Sequence, residues 1–294
     1  MAEERQGLVA LRTVDQRDLE AIRRLAALCN AHDGLDLKLA PALRPAEHEQ
    51  GWVHDFAYFV RGDLIGYCSL DGDLEVELCG MVHPDYRRRG FGRSLLAAAR
   101  TECARRNARE LLLICEQQSR SGQAFLTTCT NAFAFAEHEM DLRIAADTPL
   151  VSPAPLEGLR LDQATPGDVQ SIAVVASAAF GDPLEHIKRR VEEDLRQDPQ
   201  SVFVARLGQE TAGTLKLYTL PEKIGIYAVA VGPAYQRRGV GRWMMLAAIE
   251  RARQSGHTRF GLEVDPDNAP AIALYRSLGF TLSTTYGYYQ LPPG

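Results

Sequence analysis

The sequence predicts a mixed α/β (α+β) fold built twice along one chain, and three observations carry that prediction. Val82-His-Pro-Asp-Tyr-Arg-Arg-Arg-Gly-Phe-Gly-Arg93 and Val231-Gly-Pro-Ala-Tyr-Gln-Arg-Arg-Gly-Val-Gly-Arg242 are near copies, and Pro84 and Pro233 lie 233 − 84 = 149 residues apart, about half of the 294. Each copy sits where a short apolar run gives way to helical spacing. The same offset lays Leu111-Leu-Leu-Ile-Cys-Glu116 on Phe260-Gly-Leu-Glu-Val-Asp265 and Leu142 on Leu291, so the repeat runs to the end of the chain.

Taken in order, each half opens on an amphipathic run, Ala21 to Cys29 after Asp18-Leu19 and Val169 to Phe180 after Asp168. Ile224-Gly-Ile-Tyr-Ala-Val-Ala-Val231 is short, apolar and β-branched, which predicts a strand. From Arg242 to Arg253, Trp243, Met244, Leu246, Ala247 and Ile249 recur at helical spacing. Phe260 to Val264 reads as the next strand, followed by a polar turn, a helix capped by Asp267 or Asn268 with Pro270 in its first turn, and Gly279 as the stop. Thr148-Pro-Leu-Val-Ser-Pro-Ala-Pro155 carries three prolines and predicts an extended linker. The expected domains are therefore 1–147 and 156–294, joined by 148–155, each large enough for its own core.

Composition narrows the setting. A hydrophobic share of 46% with 24% charged residues is ordinary for a globular chain, and no apolar run approaches the ~20 residues of a membrane span. The N-terminus has no secretory apolar region, so a cytoplasmic location is expected and no membrane partner. All six cysteines fall in the first half without a CxxC pair and read as reduced core thiols. The seven histidines show no metal-ligand spacing, so no metal is expected. A net charge of −5 gives no support to a nucleic-acid surface and mildly favours a cationic substrate.

The repeated turn carries the chemistry. Gln236-Arg237-Arg238-Gly239-Val240-Gly241, followed by Arg242, is a glycine-rich entry into a helix, which aims backbone N–H groups at an anion such as a pyrophosphate. The first half repeats it as Arg87-Arg88-Arg89-Gly90-Phe91-Gly92. Neither a Walker loop nor a GxGxxG fingerprint is present, which disfavours ATP and NAD.

Both turns resemble the [Gln/Arg]-x-x-Gly-x-[Gly/Ala] acyl-CoA loop of the GCN5-related N-acetyltransferases (GNAT), and Leu262 to Phe280 is similar to the rest of that family's pattern. The resemblance covers both halves. It implies two tandem GNAT domains, each a mixed, mostly antiparallel sheet with a splayed strand pair and helices on both faces. It implies acetyl-CoA as acyl donor, held by Val229, Ala230 and Val231 on the strand, by residues 236–242 and by Asn268, with Met81, Val82 and residues 87–92 as their counterparts in the first half. Tyr275 stands where the family keeps a tyrosine acid. Glu263, twelve residues earlier, has the spacing of the base in protein alanine acetyltransferase-like domains. Mycothiol synthase-like domains share the Ala-x-Gln-Arg-Arg-Gly loop, but carry a glutamate where this chain has Gly225-Ile226-Tyr227, and the sequence makes no assignment to mycothiol.

The first half departs from the pattern, with Leu126 at the tyrosine position, Ile114 at the glutamate position and Thr130-Asn131 in place of Gly279-Phe280. The expectation is a supporting first half and a catalytic second half; Glu75 and Glu77, on the strand before the first loop, read equally as a base or as exposed edge carboxylates. The expected reaction is direct acetyl transfer to the primary amine of a small molecule. The alternatives are a peptide or protein N-acetyltransferase and a non-catalytic CoA-binding sensor. The acceptor pocket is expected within Ala179 to Leu195 and Ser283 to Tyr289. The acceptor itself and the oligomeric state are open.

Overall fold

The computed structural model describes residues 5–39, 51–72, 74–129, 132–145, 148, 156–198, 201–220 and 222–291. Two compact units result, the first comprising 1–137 with 284–294 and the second 138–283. The predicted linker 148–155 and the Thr130-Asn131 pair fall almost wholly outside the described residues.

In unit 1 the elements run β1 (Gly7–Leu11), α1 (Gln16–Asp33), β2 (Asp55–Val60), β3 (Asp63–Asp71), β4 (Glu75–Val82), α2 (Phe91–Arg106), β5 (Glu110–Glu116), α3 (Arg120–Leu126) and the start of β6 (Phe133–Arg143). Unit 2 continues with β7 (Leu159–Gln163), α4 (Val169–Phe180), α5 (Leu184–Gln197), β8 (Val202–Leu207), β9 (Glu210–Thr219), β10 (Ile224–Val231), α6 (Val240–Gln254), β11 (Arg259–Val264), α7 (Ala269–Ser277) and the start of β12 (Thr281–Leu291).

Each unit is a mixed sheet whose neighbours are antiparallel, apart from one parallel pair, β4 with β5 and β10 with β11. Those pairs separate early. β4 and β5 are paired only from Glu75↔Glu110 to Leu78↔Leu113, and β10 and β11 only at Ile224↔Phe260 and Gly225↔Gly261. Beyond these points the strands splay, as the family resemblance implies.

The last strand of each half departs from the contiguous halves expected from the sequence. Residues 286–291 of β12 pair antiparallel with β5 in unit 1, from Tyr286↔Glu116 to Leu291↔Leu111. Residues 138–143 of β6 pair with β11 in unit 2, from Val264↔His138 to Arg259↔Arg143. The two strands occupy equivalent positions in the repeat, so the constant offset alone does not say which sheet each one joins. One consequence is a correction: Tyr286 to Tyr289, expected in the second half's acceptor pocket, belong to unit 1.

Strand alternation sends the two faces of each sheet to different helices. In unit 1, Val76, Leu78, Leu111 and Leu113 pack on Leu95, Ala99 and Cys103 of α2, while Tyr67 and Met81 pack on Ile22, Leu25 and Cys29 of α1. In unit 2, Phe203, Ala205 and Leu215 meet α6, and Val202, Val204 and Ala230 meet α4 and α5. The cysteines are free thiols, five of them buried, and burial pushes Cys79 up to about 12 and Cys115 up to about 11.

At the end of α2, Glu102 is buried and accepts from Val53 N–H (2.9 Å), Arg105 (2.8 Å) and Arg106 Nε (3.0 Å). Burial pushes its carboxyl up, but the hydrogen bonds from Arg105, Val53 N–H and Arg106 outweigh it and hold the group at about 2. Because the folded value lies below the unfolded one, this stabilisation is complete above the ordinary glutamate range and is lost as pH falls through it toward about 2. Glu102→Gln is expected to flatten the acid limb of a stability-versus-pH curve measured by denaturant unfolding; an unchanged limb would show that Glu102 contributes nothing there.

Candidate active site

The glycine-rich loops of the two units have the same construction. Gln236 Nε2 donates to Val231 O (3.1 Å), and Arg87 Nε donates to Val82 O (3.0 Å), so the first residue of each motif ties the loop to the end of its strand. Arg87 also pairs with Asp33 (2.8 Å), which commits its charge within the protein. Arg237 and Arg88 take left-handed backbone (φ 60° and 64°), and Gly239 and Gly90 follow at φ 80° and 90°. Two left-handed residues with one residue between them turn the chain sharply into α6 and α2. Neither helix has a side-chain cap, so its first N–H groups point outward beside the loop, where the helix dipole favours a phosphate.

Of the other predicted loop residues, Arg238 and Arg89 lie over the rings of Tyr235 and Tyr86 (5.8 and 5.4 Å), and Arg242 donates to Ser277 Oγ (2.7 Å) and O (3.3 Å) at the end of α7. Val240 is buried, while Phe91 lies edge-on to Tyr58 at 4.7 Å. Gly241 has only ordinary contacts for an added Cβ, to Val231 (3.4 Å) and Leu274 (3.5 Å). Asn268 caps α7 by accepting from Ala271 N–H (3.2 Å).

In unit 2 the splay is reinforced by a bulge. The register of β10 against β9 shifts between Tyr227 and Ala230, with Ala228 at φ 49°. Val229, Ala230 and Val231 follow, with Ala230 and Val231 paired to Thr214 and Gly213 of β9 and directed away from β11. This leaves a strand edge of the kind that accepts an extended amide chain.

Tyr275 and Glu263 lie on opposite faces of the sheet at β11. Tyr275 is 7% exposed and packs with Leu262, Val264, Ile272 and Phe280 on the face that carries α6 and α7. Glu263 alternates with Leu262 and Val264, so its side chain projects to the other face, which carries α4 and α5. Burial pushes the Tyr275 phenol up to about 12, which keeps it protonated through the neutral range.

Glu263 stands directly across from Glu139 of β6. Two like charges at such paired positions repel. Lys223 offsets this, with Nζ bonded to Glu139 and at 2.8 Å from Asp141 Oδ1. Burial lowers the Lys223 ammonium, but its hydrogen bonds to Asp141 and Glu139 outweigh this and hold it above the ordinary lysine range. Gly225 and Gly261, the last parallel pair, have no room for a Cβ on this face: it would lie 2.2 Å from the Tyr227 ring at Gly225 and 2.9 Å from the Lys223 stem at Gly261. Glu139, Asp141, Lys223 and Tyr227 are not among the site residues expected from the sequence. The alternation Glu137-His-Glu139-Met-Asp141-Leu142 was visible, but only strand pairing shows which sheet receives it.

Unit 1 holds a cavity of about 620 Å³. It opens between the separated strands, with Cys79 to Val82 on one side and Leu113 to Glu116 on the other, and reaches the loop at Arg88 and Gly90 to Arg93. Leu126 and Ile114, the counterparts of Tyr275 and Glu263, both line it, and neither moves a proton. Glu75 and Glu77 sit below the splay, where β4 and β5 are still paired, and are not among its lining residues. Among the described residues no group of three or more His, Cys, Asp or Glu is placed to hold a metal, and no helix is long and apolar enough to cross a membrane.

The acetyltransferase (GNAT) family model matches residues 19–129 and again 170–280. The mycothiol acetyltransferase of Thermomonospora curvata is 32% identical over 287 residues, covering 94% of each chain. That of Thermobispora bispora is 32% identical over 293 residues, covering 93% of this chain and 96% of its own. Among solved structures, a GCN5-related N-acetyltransferase from Sphaerobacter thermophilus superposes with a TM-score of 0.75 at 20% identity, covering 97% and 96%. A tandem GNAT protein from the clavulanic acid biosynthesis pathway gives 0.67 at 19%, covering 98% of both chains.

Proposed function

Starting from the fact that this chain belongs to the acetyltransferase (GNAT) family and carries its fold twice, we propose that it moves an acetyl group from acetyl-CoA to the primary amine of a small molecule, with the chemistry in unit 2. The observation that carries the reading is the arrangement of Glu263 and Tyr275 on opposite faces of the β10–β11 splay. Acetyl-CoA enters with its pyrophosphate on the loop 236–242 and its amide arm along Val229 to Val231. Its thioester then lies in the splay, between the two groups.

The acceptor comes from the face of α4 and α5 as an ammonium, attracted by Glu263, Glu139 and Asp141. Glu263 takes a proton, and the freed amine attacks the acetyl carbonyl. As the C–S bond breaks, Tyr275 gives its proton to the leaving thiolate; the nitrogen releases its second proton to water, and the phenolate recovers one from water. A base and an acid on opposite sides of the reacting carbon let both transfers proceed without either group moving.

Relatives named mycothiol acetyltransferase at 32% identity over nearly the whole chain support a small-molecule acceptor over a peptide or protein. Unit 1 keeps the loop and the splay but lacks both proton-transfer groups, which supports acyl-CoA binding without turnover there.

The test is thiol release from acetyl-CoA across small amines, amino sugars, polyamines, desacetylated mycothiol and short peptides. Turnover is expected with one small-molecule class, and Glu263→Gln is expected to lower it by ~10²–10⁴-fold and to remove the acid limb of its pH profile. Turnover on peptides alone would overturn the acceptor class; an unchanged pH profile in the variant would remove Glu263 as the base.

A further inference from the structure

Of the 33 basic Lys and Arg residues only four are lysines, at 38, 188, 216 and 223, and Lys38 is the only one in the first 187 residues. Arginine serves almost everywhere that this chain needs a cation. A lysine retained under such a bias suits a site that needs a compact ammonium or, once deprotonated, a nucleophilic amine, because a guanidinium supplies neither.

Lys38 lies in the unit 1 cavity, on the acceptor face. It shares the lining with Cys79, Ile114, Glu116 and Tyr286, and the acyl-CoA loop opens into the same space. The face is fixed by alternation: Ile114 packs with Tyr286 and Tyr288, away from α2 and α3. The ammonium sits over the rings of Tyr286 and Tyr288 (5.7 and 5.3 Å), donates to Tyr288 Oη (2.6 Å) and is 3.5 Å from Glu137. Tyr288 Oη in turn donates to Glu137. The lysine is thus a primary amine on the side from which an acceptor approaches, with a hydroxyl and a carboxylate beside it to take a proton.

We infer that unit 1 acylates itself: Lys38 is the acceptor for an acyl group delivered by acyl-CoA bound in that cavity. The inference rests on the reading of unit 1 as an acyl-CoA-binding half. In the step, the Lys38 ammonium passes a proton to Glu137, directly or through Tyr288, and the nitrogen lone pair attacks the thioester carbonyl. An amide C–N bond forms as the nitrogen gives its second proton to water, the C–S bond breaks and CoA leaves as a thiolate that takes its proton from water, since Leu126 offers none. The product is stable, so the event occurs once per chain. Burial keeps Cys79, the neighbouring thiol, protonated near neutral pH, so it does not compete as a thiolate. Acylation removes the ammonium from Glu137 and from both rings and leaves a neutral acetamide in its place, so the acceptor side of unit 1 loses its cation.

The experiment incubates the full chain with acetyl-CoA and maps acetylation by peptide mass spectrometry, with acetyl-CoA binding measured in parallel by calorimetry. The expected result is one acetyl group at Lys38, accumulating faster than at Lys188, lost on denaturing the protein first, and persisting in Tyr275→Phe, which rules out transfer by unit 2. Lys38→Arg keeps the charge and abolishes the label. Acetyl-CoA bound in Gly241→Glu, where unit 1 is the remaining loop, without label at Lys38 would overturn the inference and leave the binding reading intact. No binding in that variant would overturn both, and equal labelling of Lys38 and Lys188 would reduce the event to adventitious chemistry.

Discussion

Tyr275→Phe is expected to lower kcat by ~10²–10⁴-fold, the range of a general acid, with little change in acetyl-CoA affinity. The substitution removes one oxygen from a ring whose remaining atoms pack in the unit 2 core against Leu262, Val264, Ile272 and Phe280, so the fold and the donor site are retained. What is lost is a proton beside the leaving thiolate. The wild-type phenol, pushed up to about 12 by burial, stays protonated across the working range, so it does not set the alkaline limb of the pH profile. Stopped-flow or steady-state thiol release, with calorimetry for binding, separates the two quantities. A variant that turns over like the parent would show that water protonates the thiolate and that Tyr275 is only a core aromatic.

Gly241→Glu is expected to raise KM for acetyl-CoA on the order of 100-fold, which corresponds to about 2.7 kcal/mol, whereas Gly92→Glu is expected to leave turnover intact and remove binding by unit 1. The expected effect is electrostatic. An added Cβ at Gly241 meets Val231 and Leu274 only at ordinary contact distance, so the backbone tolerates it, but a carboxylate there opposes the pyrophosphate at a helix start. Charge-assisted hydrogen bonds of this type contribute about 1.5–3 kcal/mol each, so losing one or two gives the stated effect. The paired variants also divide the labour between the units. If Gly92→Glu abolished turnover and Gly241→Glu did not, the active unit would be the first, and Glu263 and Tyr275 would lose their roles.

Much of the fold was legible in the sequence because it is local or repeated. The glycine-rich turns read directly, since only glycine holds φ near 80–90° cheaply at Gly90 and Gly239 and the N–H groups of the following helix must then point outward. Asn268 read as a cap for the same kind of local reason, a side-chain carbonyl within reach of the N–H three residues on. The losses in the first half, Leu126 for Tyr275 and Ile114 for Glu263, followed from a constant offset and needed no coordinates.

Strand pairing was decided only by the tertiary structure. A strand's alternation specifies which of its faces is apolar but not which edge it joins, and β6 and β12 occupy equivalent positions in the repeat. Their exchange brings Glu139 and Asp141 from the first half beside Glu263, and Tyr286 and Tyr288 from the end of the chain over Lys38. The sequence by itself determined the duplicated anion-binding turns and which half retained a tyrosine and a glutamate, because those follow from backbone sterics and from residue identity. The partners of Glu263 and the surroundings of Lys38 were settled only in three dimensions, because contacts between strands more than a hundred residues apart depend on edge selection, which local periodicity does not encode.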